Sequence, residues 1–193
     1  MSDDLRTMTK KLQQLTPHYQ CVLDILSEST TVLSGGLVLQ TLLQTSWPTD
    51  IDILTTDTTL SKLPIGTWTK FERTDYNAIP GMIGLVKGTI PAIGGFTINV
   101  DIIQVKNIEE HIANYDFDFC KVSFDGEEFH IEDCDAVNSK SCVVKTSKTN
   151  LENRMTKYKS RGFKITVDIP TPTVIPELVA PLVWSDEEDD ESF

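Results

Sequence analysis

A glycine pair, Gly35-Gly36, is followed after thirteen residues by Asp50-Ile51-Asp52, and a third acid, Asp101, lies inside Ile98-Asn99-Val100-Asp101-Ile102. On a strand, residues i and i+2 face the same side, so Asp50 and Asp52 would present two carboxylates together. Asp101 sits between apolar neighbours, where a lone charge needs a partner. Three carboxylates at one place repel one another, and a pair of hard divalent cations, Mg²⁺ or Mn²⁺, relieves that repulsion with oxygen ligands. Gly-Gly at the opening of a helix leaves bare backbone N–H groups at the positive helix end, suited to phosphate. Its turn is expected to require a positive φ at Gly36. Acids for metals beside amides for phosphate describe phosphoryl or nucleotidyl transfer assisted by two metals. The bland alternative has Asp50 ending a strand, Asp52 solvated at an edge and Asp101 paired with a lysine.

Other combinations carry less. His130, Cys134 and Cys142 match no common zinc spacing and lack an evident fourth ligand. Asp116 and Asp118 alternate as on a strand and read as a solvated strand face. His18 and His111 have no serine or cysteine motif beside them, so a nucleophile–base pair is not visible.

The elements that must position the acids can be read from periodicity. Leu5, Met8, Leu12, Leu15, Tyr19, Val22 and Leu26 fall three and four apart, and Thr16-Pro17 breaks this stripe as N-cap and first helical residue. The spacing predicts helices over 3–15 and 17–28. Thr31 to Leu33 reads as a strand, Gly35 to Leu43 as a helix ended by Trp47-Pro48, and Asp50 to Leu54 as a buried strand. Met82 to Ile90 and Phe96 to Val105 read as paired strands, and Ile108 to Ala113 as a helical turn. Phe117 to Phe124 and Glu128 to Ile131 read as a hairpin about Asp125-Gly126. Thr149 with Glu152 forms a capping box for a helix over 150–161, closed by Gly162. Residues 58–80 read as turns. This is an α+β fold, a small mixed sheet with helices on one side.

Of the 193 residues 39% are hydrophobic and 24% charged, which supplies a core and excludes wholesale disorder. Four cysteines are too sparse for a disulfide framework, and no apolar run approaches the ~18 residues of a membrane span. The opening MSDDLRTMTKKLQQ lacks the pattern of a signal peptide, so an intracellular protein without membrane contact is expected. The net charge of −12 argues against a general nucleic-acid coat, yet residues 140–164 hold eight basic residues against Glu152 alone. Arg154, Lys157, Lys159 and Arg161 form a candidate nucleic-acid or polyanion patch there. Residues 1–30 are expected as helices packed on the core, 31–167 as the main domain, and 168–193 as a proline-bearing linker with an acidic tail, disordered in isolation. The tail, Asp186 to Glu191 and on to Phe193, is expected to serve solubility, to fold back on the basic helix or to bind a protein partner.

The set Ser34-Gly35-Gly36, Asp50-Ile51-Asp52 and Asp101 resembles the nucleotidyltransferases of the DNA polymerase beta superfamily, in a minimal form, over residues 31–105. The resemblance implies that Asp50 and Asp52 hold both metals, that Asp101 completes the one nearer the attacking hydroxyl, and that Ser34, Gly35 and Gly36 contact the triphosphate. It implies transfer of a nucleoside monophosphate from a nucleoside triphosphate to a hydroxyl of a nucleic acid, a protein or a small molecule. The same fold can outlive its chemistry, so a catalytically inactive structural or interaction protein is the alternative. Asn114 to Lys121 and Lys157 to Phe163 resemble segments in proteins of large eukaryotic DNA viruses, which implies the cytoplasm, a viral factory or a virion as the location.

Overall fold

The structure is a computed structural model and describes residues 1–27, 30–71, 81–145 and 151–168. Two helices come first, α1 (Asp3–Leu15) and α2 (Tyr19–Asp24), the second continued by a 3₁₀ turn over Ile25–Ser27. Ser2 caps α1, its Oγ accepting from the Leu5 N–H at 3.1 Å. The Thr16 hydroxyl accepts from the His18 N–H at 3.1 Å and donates to the Pro91 carbonyl at 2.6 Å. It therefore ties the proline turn to the sheet, and α2 begins two residues later than expected, with His18 at its N-cap.

The remaining elements are β1 (Thr31–Ser34), α3 (Gly35–Leu42), β2 (Ile51–Thr55), β3 (Thr67–Phe71), β4 (Met82–Pro91), β5 (Thr97–Val105) and α4 (Ile108–Ala113). They continue with β6 (Val122–Phe124), β7 (Phe129–Ile131), α5 (Cys134–Ser139), β8 (Ser141–Val144), α6 (Leu151–Lys159) and β9 (Lys164–Val167). Seven strands form one sheet in the order β3-β4-β5-β2-β1-β6-β7, while β8 and β9 pair separately and in parallel across α6. Inside the large sheet β2 and β5 run parallel and the other neighbours antiparallel, which makes it mixed.

Strand alternation divides the sheet into two faces. Leu33, Ile53, Ile102 and Val86 enter the main core with Met8 and Leu12 of α1, Leu37 and Val38 of α3, and Tyr158 of α6. Each such burial contributes roughly 1.5–3 kcal/mol. Their neighbours Val32, Leu54 and Ile103 point the other way, where Ile108 and Ile112 of α4 cover them. Helices therefore flank both faces, not one, because these strands are apolar on both sides. Among the described residues no helix is long and apolar enough to cross a membrane.

Three further differences have physical causes. Only Val122–Phe124 of the expected 117–124 strand is extended, because a 3₁₀ turn over Asp118–Cys120 brings Phe117 and Phe119 together, ring centroids 5.2 Å apart, against Tyr158. Asp116 and Asp118 consequently share no strand face: Asp116 pairs with Arg154, and Asp118 pairs with Lys121 at 2.9 Å. The short β3, β8, β9 and α5 were not expected, since four to six residues are too few to show a period. The Thr149 half of the capping box lies outside the described residues, but α6 ends as expected, Gly162 at φ +86° and the Phe163 N–H donating to the Tyr158 carbonyl at 3.1 Å.

Candidate active site

The candidate acids sit at the centre of the large sheet. In β-sheets, residues directly opposite on neighbouring strands share a face. Ser34 of β1 lies opposite Asp52 of β2, Asp52 opposite Asp101 of β5, and Asp101 opposite Lys87 of β4. Four adjacent strands thus carry Ser34, Asp52, Asp101 and Lys87 in a single row about 14 Å long. Asp50 stands one residue before β2, and its Oδ1 accepts from the Asn99 side-chain amide at 3.1 Å. Position Asp50 is thereby fixed from β5.

The glycine turn abuts this row. Gly35 has φ +70°, and a β-carbon built on it would lie 2.6 Å from Asp52 Oδ2. The Asp52 carboxylate therefore fills the space that a side chain at the opening of α3 would need. The left-handed residue is Gly35, not Gly36 as the sequence reading has it; a β-carbon on Gly36 would meet only the Thr49 hydroxyl, at 2.9 Å. Gly35→Ala should accordingly cost about 1–3 kcal/mol and shift Asp52, whereas Gly36→Ala should cost less. Thermal melts of the two variants check this, and a larger loss at Gly36 would contradict it.

Electrostatics single out Asp52. Among the described residues its carboxylate has no hydrogen bond or ion pair, and burial, followed by the charges of Asp101 and Asp50, pushes its pKa up to about 7. Lys157 and Lys87 act in the opposite direction. Asp101 is differently placed, because the Lys87 ammonium forms an ion pair with its Oδ2. Ser34, fully buried, spends its hydroxyl on the Val122 carbonyl at 2.9 Å and on the Tyr115 hydroxyl at 3.2 Å.

The four basic residues of the candidate patch are not one surface. Arg154 pairs with Asp116, whose side chain is 2% exposed, and its guanidinium lies over the Phe117 ring. Arg161 stacks on Trp47 and Tyr158 and donates to the Pro48 carbonyl at 2.8 Å, beside Asp50. Lys157 and Lys159 are exposed on α6, Lys157 on the side that feels Asp52. The acidic tail lies outside the described residues.

A three-dimensional comparison decides the fold. A CCA-adding enzyme in complex with CTP superposes with a TM-score of 0.57 at 15% identity, covering 84% of this chain and 43% of that one. The Thermotoga maritima CCA-adding enzyme complexed with tRNA superposes with a TM-score of 0.55 at 16% identity, over 84% of this chain and 42% of that one. A CCA-adding enzyme complexed with ATP gives 0.53 at 16% identity. The fold is nucleotidyltransferase-like. This chain spans about two fifths of the length of those enzymes. No protein-family model matches the sequence, and no curated protein does either.

On a nucleotidyltransferase-like fold, two residues gain weight that the sequence reading passed over. Lys87 is the single charged residue of β4, MIGLVKGTIP, and Asn99 lies two residues before Asp101 on the same face of β5. A lone lysine in an apolar strand was the available signal, and the alternative that pairs Asp101 with a lysine holds, with Lys87 as that lysine. Asp125, Glu128 and His130 bring ligand atoms within 4.8 Å of one another at the β6–β7 turn, and among the described residues no other trio of His, Cys, Asp and Glu does so. Hydrogen bonds within that hairpin account for it: Asp125 accepts from the Glu127 and Glu128 N–H groups at 2.8 and 2.9 Å and from His130 at 2.7 Å. Of the cysteines paired with His130 in the sequence reading, Cys134 is exposed and Cys142 buried.

Proposed function

We propose that this chain is a metal-dependent nucleotidyltransferase that moves a nucleoside monophosphate from a nucleoside triphosphate to a hydroxyl acceptor, with residues 31–167 as the unit that does so. The observation that carries the reading is the close approach of the Gly35 turn to Asp52, in register with Asp101. Amide donors for phosphate lie beside Asp52 there, with Asp101 opposite it in register, although the ligand atoms of Asp50, Asp52 and Asp101 do not all lie within 4.8 Å of one another.

The residues fit a hard divalent cation, Mg²⁺ or Mn²⁺. Asp52 is a carboxylate without an ion-pair partner, raised to about 7 by burial and two neighbouring acids, and positive charge is what this environment lacks. Asp50 and Asp52 would hold the cation, and Asp101 would join them on release from Lys87. Such a cation supplies charge neutralisation at the phosphates and a more acidic attacking hydroxyl. The Gly35 and Gly36 N–H groups, at the positive end of α3, would receive phosphate oxygens and set the direction of the α-phosphorus. Exposed Lys157, whose charge is felt at Asp52, would meet an anionic acceptor on this side, and a nucleic-acid hydroxyl is the acceptor this favours.

One observation favours a second reading. Lys87 already satisfies Asp101, as it would in an inactive descendant serving as a structural or interaction protein, in a virus or elsewhere. Thermal melts separate the two. Mg²⁺ with a bound nucleoside triphosphate should stabilise a working site by about 2.7 kcal/mol at a hundredfold excess over Kd, and incubation with labelled nucleotide and an RNA oligonucleotide should extend it. No shift and no extension with any of the four nucleotides would favour the inactive protein.

A further inference from the structure

The Lys87–Asp101 ion pair has a consequence for the order in which the site fills. Lys87 projects from β4 at the position directly opposite Asp101, with its side chain 35% exposed and that of Asp101 20% exposed. It is bonded to the same carboxylate that the nucleotidyltransferase reading gives to a divalent cation. An ammonium and a divalent cation repel one another, and the pair leaves Asp101 Oδ2 occupied. A cation arriving at Asp101 therefore competes with Lys87 for that carboxylate. The lysine side chain is long, flexible and strongly hydrated, and it already borders solvent. Its next anion along the row is Asp52, which a cation would also claim. A nucleotide changes this balance, because phosphates lying over the Gly35 turn bring new negative charge to the row.

We propose that Lys87 couples cation binding to nucleotide binding: in the free protein it stands in for the cation at Asp101, and in the loaded protein it yields Asp101 and binds a phosphate oxygen of the nucleotide. The inference rests on the nucleotidyltransferase reading. It predicts a site that takes up a cation weakly alone and strongly with nucleotide, the two ligands binding with positive cooperativity. No bond is made or broken in this exchange; one charge-assisted contact replaces another.

The test is a titration of the full chain with Mn²⁺, followed by electron paramagnetic resonance of the free ion, with and without a non-hydrolysable nucleoside triphosphate. For the wild type, nucleotide should tighten Mn²⁺ binding about tenfold or more. Lys87→Gln should bind Mn²⁺ alone about tenfold more tightly than the wild type, bind nucleotide more weakly, and lose most of the cooperativity. Lys87→Arg keeps the charge and can pair with Asp101 through two N–H groups, so it should retain the cooperativity and bind Mn²⁺ alone no better than the wild type. Circular dichroism establishes that each variant is folded, and the arginine variant decides the matter if the glutamine variant is not. Equal Mn²⁺ affinities for wild type and Lys87→Gln, or a Lys87→Arg protein that binds Mn²⁺ alone more tightly, would overturn the assignment while leaving the nucleotidyltransferase reading intact. Absence of both Mn²⁺ and nucleotide binding in the wild type would overturn both.

Discussion

Asp52→Asn should raise the stability of the cation-free protein above pH 7 and reduce nucleotidyl transfer by about a thousandfold or more. The loss follows from removing a carboxylate that would hold the cation, whose charge stabilisation is worth several kcal/mol, at 1.36 kcal/mol per tenfold in rate. The gain in stability follows from the environment of Asp52. Burial and the charges of Asp101 and Asp50 raise its pKa from 3.8 to about 7. Between these values the folded protein binds a proton that the unfolded chain has already released. Stability from this group is therefore fully present below pH ~4 and is lost as the pH rises through about 7. Asparagine carries no such charge, so the variant should flatten that part of the pH profile and be on the order of 1–3 kcal/mol more stable at pH 8. Mg²⁺ should bring the wild type toward the variant at pH 8 and leave the variant almost unmoved. Melts at pH 5 and pH 8, with and without Mg²⁺, check all four expectations. A variant destabilised at pH 8 would show that Asp52 is held by interactions that favour its charge. Asp101→Asn should behave differently, because it also deprives Lys87 of its ion-pair partner.

The second large effect concerns the fold beside the site. Arg154 of α6 reaches Asp116, whose side chain is 2% exposed, and lies 5.4 Å from the Phe117 ring centroid. Removing a charged partner of a buried carboxylate costs up to about 3–5 kcal/mol, and the solvent-facing guanidinium, 43% exposed, places this case toward the lower end. Arg154→Met should therefore lower the melting temperature by about 5–10 °C. Neutralising the acid as well, in Asp116→Asn with Arg154→Met, should recover part of the loss, since the double variant no longer buries a carboxylate that has lost its arginine. A single variant with an unchanged melting temperature would show that the pair contributes nothing to holding α6. On the proposed nucleic-acid acceptor, filter binding of a labelled RNA oligonucleotide should weaken far less for the single variant than for Lys157→Ala with Lys159→Ala, as Arg154 is committed to the fold.

What the sequence determined by itself lies mostly within single segments. The glycine pair, the Asp-x-Asp spacing and the apolar strands at Met82–Pro91 and Thr97–Val105 are local patterns, and these elements formed within a residue of where periodicity and turn residues placed them. The helix stripe of Leu5, Met8 and Leu12 likewise reports one face of one helix, whatever lies against it. The tertiary structure decided everything that depends on which segment lies opposite which. Register put Asp52 beside Asp101 and Lys87 beside Asp101, and no spacing within β4 could announce that pairing. The left-handed turn falls on the first glycine rather than the second, and the room for a side chain there is taken by Asp52, seventeen residues away. The basic run of 140–164 read as one patch because sequence sums charge along the chain; the fold turned Arg154 toward Asp116 and Arg161 onto Trp47, leaving Lys157 and Lys159 outward. Phe117 and Phe119 alternate as a strand would, yet the chain turns over Asp118–Cys120 and buries both rings against Tyr158. Periodicity names the face of an element, and only packing names its partner.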